Sequence, residues 1–162
     1  DRFSPRHLSA NRKAEFGWFD DTRRFVTVTS DTIVEGGTYV LSPLESSRPG
    51  IKGLKIPRSD FWDFLYVEFR QPIGFDQGMD ENGARNVFAG PLLHIHHHWF
   101  PYLMSYLLDA SAGPGNPGDI RTVALPVGET FVDPMAGTTV RTLGVSGIQE
   151  DARLVVQVTL GP

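Results

Sequence analysis

Glycine and proline interrupt this chain too often for any long regular element to form. Seventeen glycines and twelve prolines are spread through 162 residues, and between them lie short runs rich in Val, Ile, Phe, Tyr, Trp and Thr. A helix bundle needs uninterrupted periodic stretches, and a doubly wound α/β fold needs helical patterns alternating with its strands. Neither pattern occurs. Short β-prone runs closed by turn residues instead predict an antiparallel β-sandwich, jelly-roll-like in form.

The expected strands can be placed from alternation and punctuation. Residues 24–29 alternate, with Val26 and Val28 opposite Phe25, Thr27 and Thr29. Gly36-Gly37 leads into a run over 38–41, and Gly50 precedes 51–56, which Pro57 closes. Residues 62–70 form the most β-prone run, ended by Pro72 and Gly74. Further strands are expected at 87–96, 104–109, 120–125, 130–132, 138–145 and 153–160. In the last, Leu154, Val156, Val158 and Leu160 share one face. Residues 112–119 hold too much Gly and Pro for regular structure.

Residues 1–23 read as a separate N-terminal arm ahead of a β-domain over 24–162. Ser9 is placed as an N-cap, Gly17 as a C′ stop, and the helix between them covers about two turns. Trp18 is expected to anchor the arm to the body.

Composition narrows the function classes. With no cysteine, disulfide scaffolds, thiolate metal sites and cysteine nucleophiles are excluded. The net charge of −4 and the absence of a basic tract argue against nucleic-acid partners. No apolar run reaches the roughly eighteen residues of a membrane span, so no membrane insertion is expected. Twelve of the fifteen basic residues are Arg. Arg suits fixed pairing with carboxylates, but base composition of the gene explains the excess as simply. The opening Asp1-Arg2-Phe3-Ser4 carries no Met and no signal peptide, so a processed product or a piece of a larger protein is expected.

Four of the five histidines fall in His94-Ile95-His96-His97-His98. On a strand, His94, His96 and His98 share a face and form a candidate transition-metal set, zinc among the choices. Same-face residues are about 7 Å apart, wide for three ligands on one ion, and H-E-x-x-H is absent. The loop Asp76-Gln77-Gly78-Met79-Asp80-Glu81-Asn82 makes Asp76, Asp80 and Asn82 candidate calcium ligands, although Val87 occupies the position of an EF-hand glutamate. Glu68 and Arg70, on one face of the strongest strand, read as a buried or half-buried ion pair. Trp99, Phe100 and Tyr102 sit at a connection and form a candidate interaction patch. No serine nucleophile motif or phosphate-binding loop is present.

Several segments, taken in order, resemble one family. Phe3-Ser4-Pro5-Arg6-His7-Leu8-Ser9-Ala10 with Lys13-Ala14-Glu15-Phe16-Gly17-Trp18, then Tyr66-Val67-Glu68-Phe69-Arg70-Gln71-Pro72-Ile73-Gly74-Phe75-Asp76, are similar to stretches of gametolysin-like and immune-inhibitor-A-like secreted zinc metalloproteases. Leu92-Leu93-His94, Ser105-Tyr106-Leu107-Leu108-Asp109-Ala110 and Val127-Gly128-Glu129-Thr130-Phe131-Val132-Asp133-Pro134 extend the resemblance along nearly the whole chain. The resemblance implies the β-rich region C-terminal to the catalytic domain. It implies a secreted, non-catalytic domain whose partner is the catalytic domain of the same parent. No catalytic residue carries over, because the zinc-binding helix has no counterpart in this sequence. The alternative is a stand-alone extracellular structural or adhesive module that assembles with copies of itself.

Overall fold

The computed structural model describes residues 8–18, 24–58, 63–78, 85–99, 102–110 and 123–162. Within them lie one short helix, α1 (Ala10–Glu15), and nine strands. The strands are β1 (Phe25–Thr27), β2 (Thr38–Leu41), β3 (Gly53–Pro57), β4 (Asp63–Phe69), β5 (Pro91–Trp99), β6 (Tyr102–Leu107), β7 (Thr130–Val132), β8 (Thr139–Ser146) and β9 (Arg153–Thr159).

They form two sheets, one ordered β1-β3-β4-β5-β6 and the other β2-β9-β8-β7. No barrel closes. Both sheets contribute to one apolar core: Leu54, Ile56, Leu65, Val67, Phe69 and Leu93 from the first, Tyr39, Leu41, Val140, Leu154, Val156 and Val158 from the second. The alternation of β9 dictates its placement, since Leu154, Val156 and Val158 are buried while Arg153, Val155 and Gln157 are only partly so.

One pair departs from the expected antiparallel pattern. β1 lies parallel to β3, in register Phe25↔Gly53 to Thr27↔Lys55. The chain leaves the first sheet after β1, contributes β2 to the second, and returns in the original direction as β3. A crossover of that kind delivers a parallel neighbour. Gly53 is needed there, because a Cβ would stand 2.6 Å from the Phe25 ring.

Two expected strands are also corrected. Residues 85–88 form a 3-10 turn, so β5 begins at Pro91 and not at 87. Asn86 terminates that turn by accepting from Ala89 N–H through its carbonyl, while its Oδ1 accepts from Ala124 N–H. The described part of the run at 120–125 is buried but irregular. Its backbone bonds go to four places: Val123 O to Ala110 N–H, Ala124 N–H to Asn86 Oδ1, Leu125 N–H to Pro91 O and Leu125 O to Thr142 Oγ1. A segment whose partners are scattered in this way cannot join one ladder.

The sheets are clamped at one end by charge. Arg58, just past β3, donates from Nε (2.5 Å) and Nη2 (2.8 Å) to the two oxygens of Asp133, just past β7. Asp133 is fully buried and also accepts from Met135 N–H. Burial pushes its carboxyl up, but Arg58 and the backbone donors more than reverse this and hold it below the usual range. Replacing Arg58 by Ala leaves a buried, unpaired carboxylate. Arg58→Ala is expected to cost about 3–5 kcal/mol in a urea unfolding titration; a change under about 1 kcal/mol would show that the clamp carries no such role.

Candidate functional site

The face of the first sheet that points away from the core is unusually polar for a buried surface. Because β4 alternates, Leu65, Val67 and Phe69 enter the core while Tyr66 and Glu68 point outward. His94 is paired with Tyr66, and His96 with Phe64, so both histidines share that outer face. All four of Tyr66, Glu68, His94 and His96 are nonetheless buried, and α1 lies against β4 and reaches Glu68 and His96.

Glu68 is the centre of the arrangement. Its Oε2 accepts the Ala10 N–H at 2.5 Å and its Oε1 accepts from Arg70 Nε at 2.7 Å. The first N–H groups of a helix lack partners within the helix and carry partial positive charge. Ser9 occupies the N-cap position, but its hydroxyl donates instead to Asn11 Oδ1. A carboxylate from the sheet therefore supplies the capping acceptor that the arm's own cap residue does not. Arg70 extends the network by donating to both oxygens of Asp76, at 3.0 and 3.2 Å, and to Leu8 O. Glu68, Arg70 and Asp76 thus join the strand, the following turn and the arm.

Electrostatics follow from this packing. Burial pushes the Glu68 carboxyl up, but Arg70, His94 and the Ala10 N–H together hold it well below the usual carboxylate range. Burial lowers Arg70, and the two carboxylates beside it more than offset that, keeping it fully charged. Tyr66 is raised by burial first and by Glu15 second. Burial lowers Lys55, whose Nζ stands 3.9 Å from the Phe64 ring centre.

The histidines face partners from the arm and the sheet. His94 Nε2 is 3.3 Å from Glu68 Oε1, and His97 Nδ1 is 2.6 Å from Asp63 Oδ1. His96 is straddled by two arm residues one helical turn apart. The Asn11 amide lies 3.0 Å from Nδ1, and Glu15 Oε1 lies 3.0 Å from Nε2. An amide nitrogen can only donate, so Nδ1 accepts from Asn11, and Nε2 is the ring nitrogen nearest Glu15. Lys13 completes the docking through a buried ion pair with Glu45.

These positions revise the sequence reading residue by residue. Glu68 and Arg70 are brought together, with Asp76 as a third member. Asp76 turns both carboxylate oxygens to a guanidinium, which opposes a cation at that place, and Asp80 and Asn82 lie outside the described residues. His94 and His96 do share a face, but their neighbours are Glu68, Asn11 and Glu15. Among the described residues, no group of three His, Asp or Glu side chains is arranged to hold a metal ion. Phe100 lies outside the described residues, as do the side chains of His98, Trp99 and Tyr102. Trp18 is not the arm's anchor: it is 61% exposed, with Lys13 Nζ 5.9 Å from its ring. Gly17, at φ +70°, reverses the chain there, and the buried face of the arm is formed by Ala10, Asn11 and Lys13. The docking contacts of Asn11, Lys13 and Glu15 and the pair Arg58–Asp133 carry no local sequence signal, since these partners lie 32 to 85 residues apart.

Comparison with family models, curated proteins and solved structures returned no match. No helix among the described residues is long and apolar enough to cross a membrane.

Glu68→Ala is expected to destabilise the fold by about 3–5 kcal/mol, since it strands Arg70 and the helix N-terminus. A depressed carboxyl stabilises the fold fully above its unfolded value of about 4.3, and this is lost as pH falls from there through the depressed folded value. The urea midpoint of the wild type should therefore fall more steeply with acid than that of Glu68→Gln. Parallel pH profiles would contradict the assignment.

Proposed function

We propose that the chain is a non-catalytic accessory β-domain of a secreted, extracellular zinc-metalloprotease-like protein. In this reading it packs on the catalytic domain of the same parent or presents substrate to it. A jelly-roll-like form of the sandwich belongs to the same proposal, and neither nucleic acid nor membrane insertion enters it.

The observation that carries the reading is how the reactive side chains are used. A catalytic acid or base keeps a face toward the substrate. Here Glu68, Asp76, His94 and His96 are buried, and their carboxylate and ring atoms are directed at Arg70, the arm or one another. Such a constellation fixes a segment to a sheet. The ordered motifs that resemble the C-terminal region of the metalloproteases supply the parent, and the absence of a zinc-binding helix from this sequence supplies the lack of activity.

The isolated chain, incubated with an unstructured protein such as casein, with and without added zinc, is expected to release no peptides. Hydrolysis that survives repurification and disappears in Glu68→Gln would overturn the non-catalytic reading. The coding sequence upstream of Asp1 is expected to carry H-E-x-x-H, and a frame without it would remove the metalloprotease parent.

A further inference from the structure

The inner face of the first sheet runs on past the apolar core. Leu65 and Ile95, opposite each other on β4 and β5, pack into that core. Two residues further along, the same face carries the opposed pair Asp63 and His97. On β6, Tyr106 stands opposite Ile95, and Met104 stands opposite His97. Directly opposed residues of an antiparallel pair share a face, with Cβ atoms about 4.5–5.5 Å apart. Asp63, His97 and Met104 therefore form one row across three strands. The row reaches water, since the His97 side chain is 38% exposed and Met104 is 43% exposed.

Each side chain of the row is held by a neighbour. His97 Nδ1 lies 2.6 Å from Asp63 Oδ1. A carboxylate can only accept, so Nδ1 carries the hydrogen, and in the neutral ring the lone pair is on Nε2. Nε2 has no hydrogen-bond partner among the described residues. The Tyr106 ring stands edge-on to the His97 ring, 6.0 Å between centres, and its hydroxyl donates to Met104 Sδ at 2.7 Å. A thioether sulfur has two lone pairs, so one remains. An imidazole oriented by a carboxylate through one nitrogen is the arrangement that supports histidine ligands of metals through the other. His94 and His96, by contrast, turn to Glu68, Asn11 and Glu15.

We propose that His97 Nε2 and Met104 Sδ are the protein ligands of a site for a soft monovalent cation, copper(I) or its analogue silver(I). The donor pair selects that class. A thioether is a soft, uncharged ligand that suits copper(I) and adds little for hard ions such as calcium or magnesium. Structural zinc takes four protein ligands, a set this row does not offer. A closed-shell monovalent ion is satisfied by two or three donors, so one imidazole and one thioether suffice, with water or another small ligand completing the site. Asp63 is the positioning residue: it fixes the ring and its tautomer and places negative charge behind the ligand. Arg58, whose backbone N–H donates to Asp63 O, keeps its guanidinium on Asp133.

Silver(I), which needs no reductant, is titrated into the full chain carrying isotope-labelled methionine methyls, and the binding is followed by NMR. The chain has three methionines, Met79, Met104 and Met135. The Met104 methyl and the His97 ring signals are expected to move together and to saturate at one equivalent. Met135, 59% exposed in the turn after β7, is an internal control expected to move only in excess. Met104→Leu and His97→Gln are each expected to weaken binding about tenfold or more, with an unchanged circular dichroism spectrum. If His97→Gln fails to fold, Met104→Leu decides, because it conserves volume at an exposed position. Asp63→Asn is expected to weaken binding about tenfold and to divide the His97 ring nitrogen signals between two tautomers. No shift at Met104, a common midpoint for Met104 and Met135, or binding that survives folded Met104→Leu would overturn the site. An unchanged affinity and tautomer in Asp63→Asn would overturn the role of the carboxylate.

Discussion

A carboxylate with no access to water has to be surrounded by donors, and Glu68 meets that demand from two directions. Arg70 reaches it from just past the end of β4, and the first turn of α1 presents a backbone N–H to it from outside the sheet. The second contact gives the arm its place. A helix of six residues has too few internal hydrogen bonds to persist alone, so its order comes from the surface that receives it. The dependence is mutual. The arm meets His96 through Asn11 and Glu15 and lends Leu8 O to Arg70, and the burial of Glu68 and Arg70 strengthens their charge–charge interactions.

The rest of the sandwich is arranged so that this face can be polar. Hydrophobic burial is concentrated between the sheets, where alternate residues of β3, β4, β5, β8 and β9 interdigitate. The outward residues of β4 and β5 are thereby left free of the core. Arg58 and Asp133 then tie the two sheets at one end, and the irregular segment at 123–125 bonds both to the start of β5 and, through Thr142 Oγ1, to β8. Charge therefore does two structural jobs in this protein: it joins sheet to sheet and arm to sheet.

Much of the β-architecture was legible in the sequence, because alternation and punctuation are local signals. β2 and β7 fall on the expected residues, 38–41 and 130–132, and the aromatic density of 62–70 marks β4. Of the strand expected at 120–125, the described residues 123–125 are irregular, because their backbone partners (Ala110, Asn86, Pro91 and Thr142) are scattered along the chain, which no local pattern records. The site was legible only at its centre. Glu68 and Arg70 are two residues apart on a strand, so period-two geometry predicts their meeting. Asn11, Glu15 and Lys13 meet partners far along the chain. Trp18 misled because a large aromatic beside a short helix reads as an anchor, whereas docking here depends on polar groups along the helix itself, from Ala10 to Glu15. Gene base composition is the plain reading of the arginine excess, yet Arg58 and Arg70 are both used in fixed, planar pairing.

The account depends most on the contact between Ala10 and Glu68. Amide hydrogen exchange at Ala10, followed beside that of Val156 in the core of β9, measures it directly. Glu68 capping predicts that the Ala10 amide is protected well beyond its open-chain rate in the wild type. It also predicts that in Glu68→Ala this protection is lost before that of Val156. An Ala10 amide that exchanges at the open-chain rate in the folded wild-type protein would contradict the account.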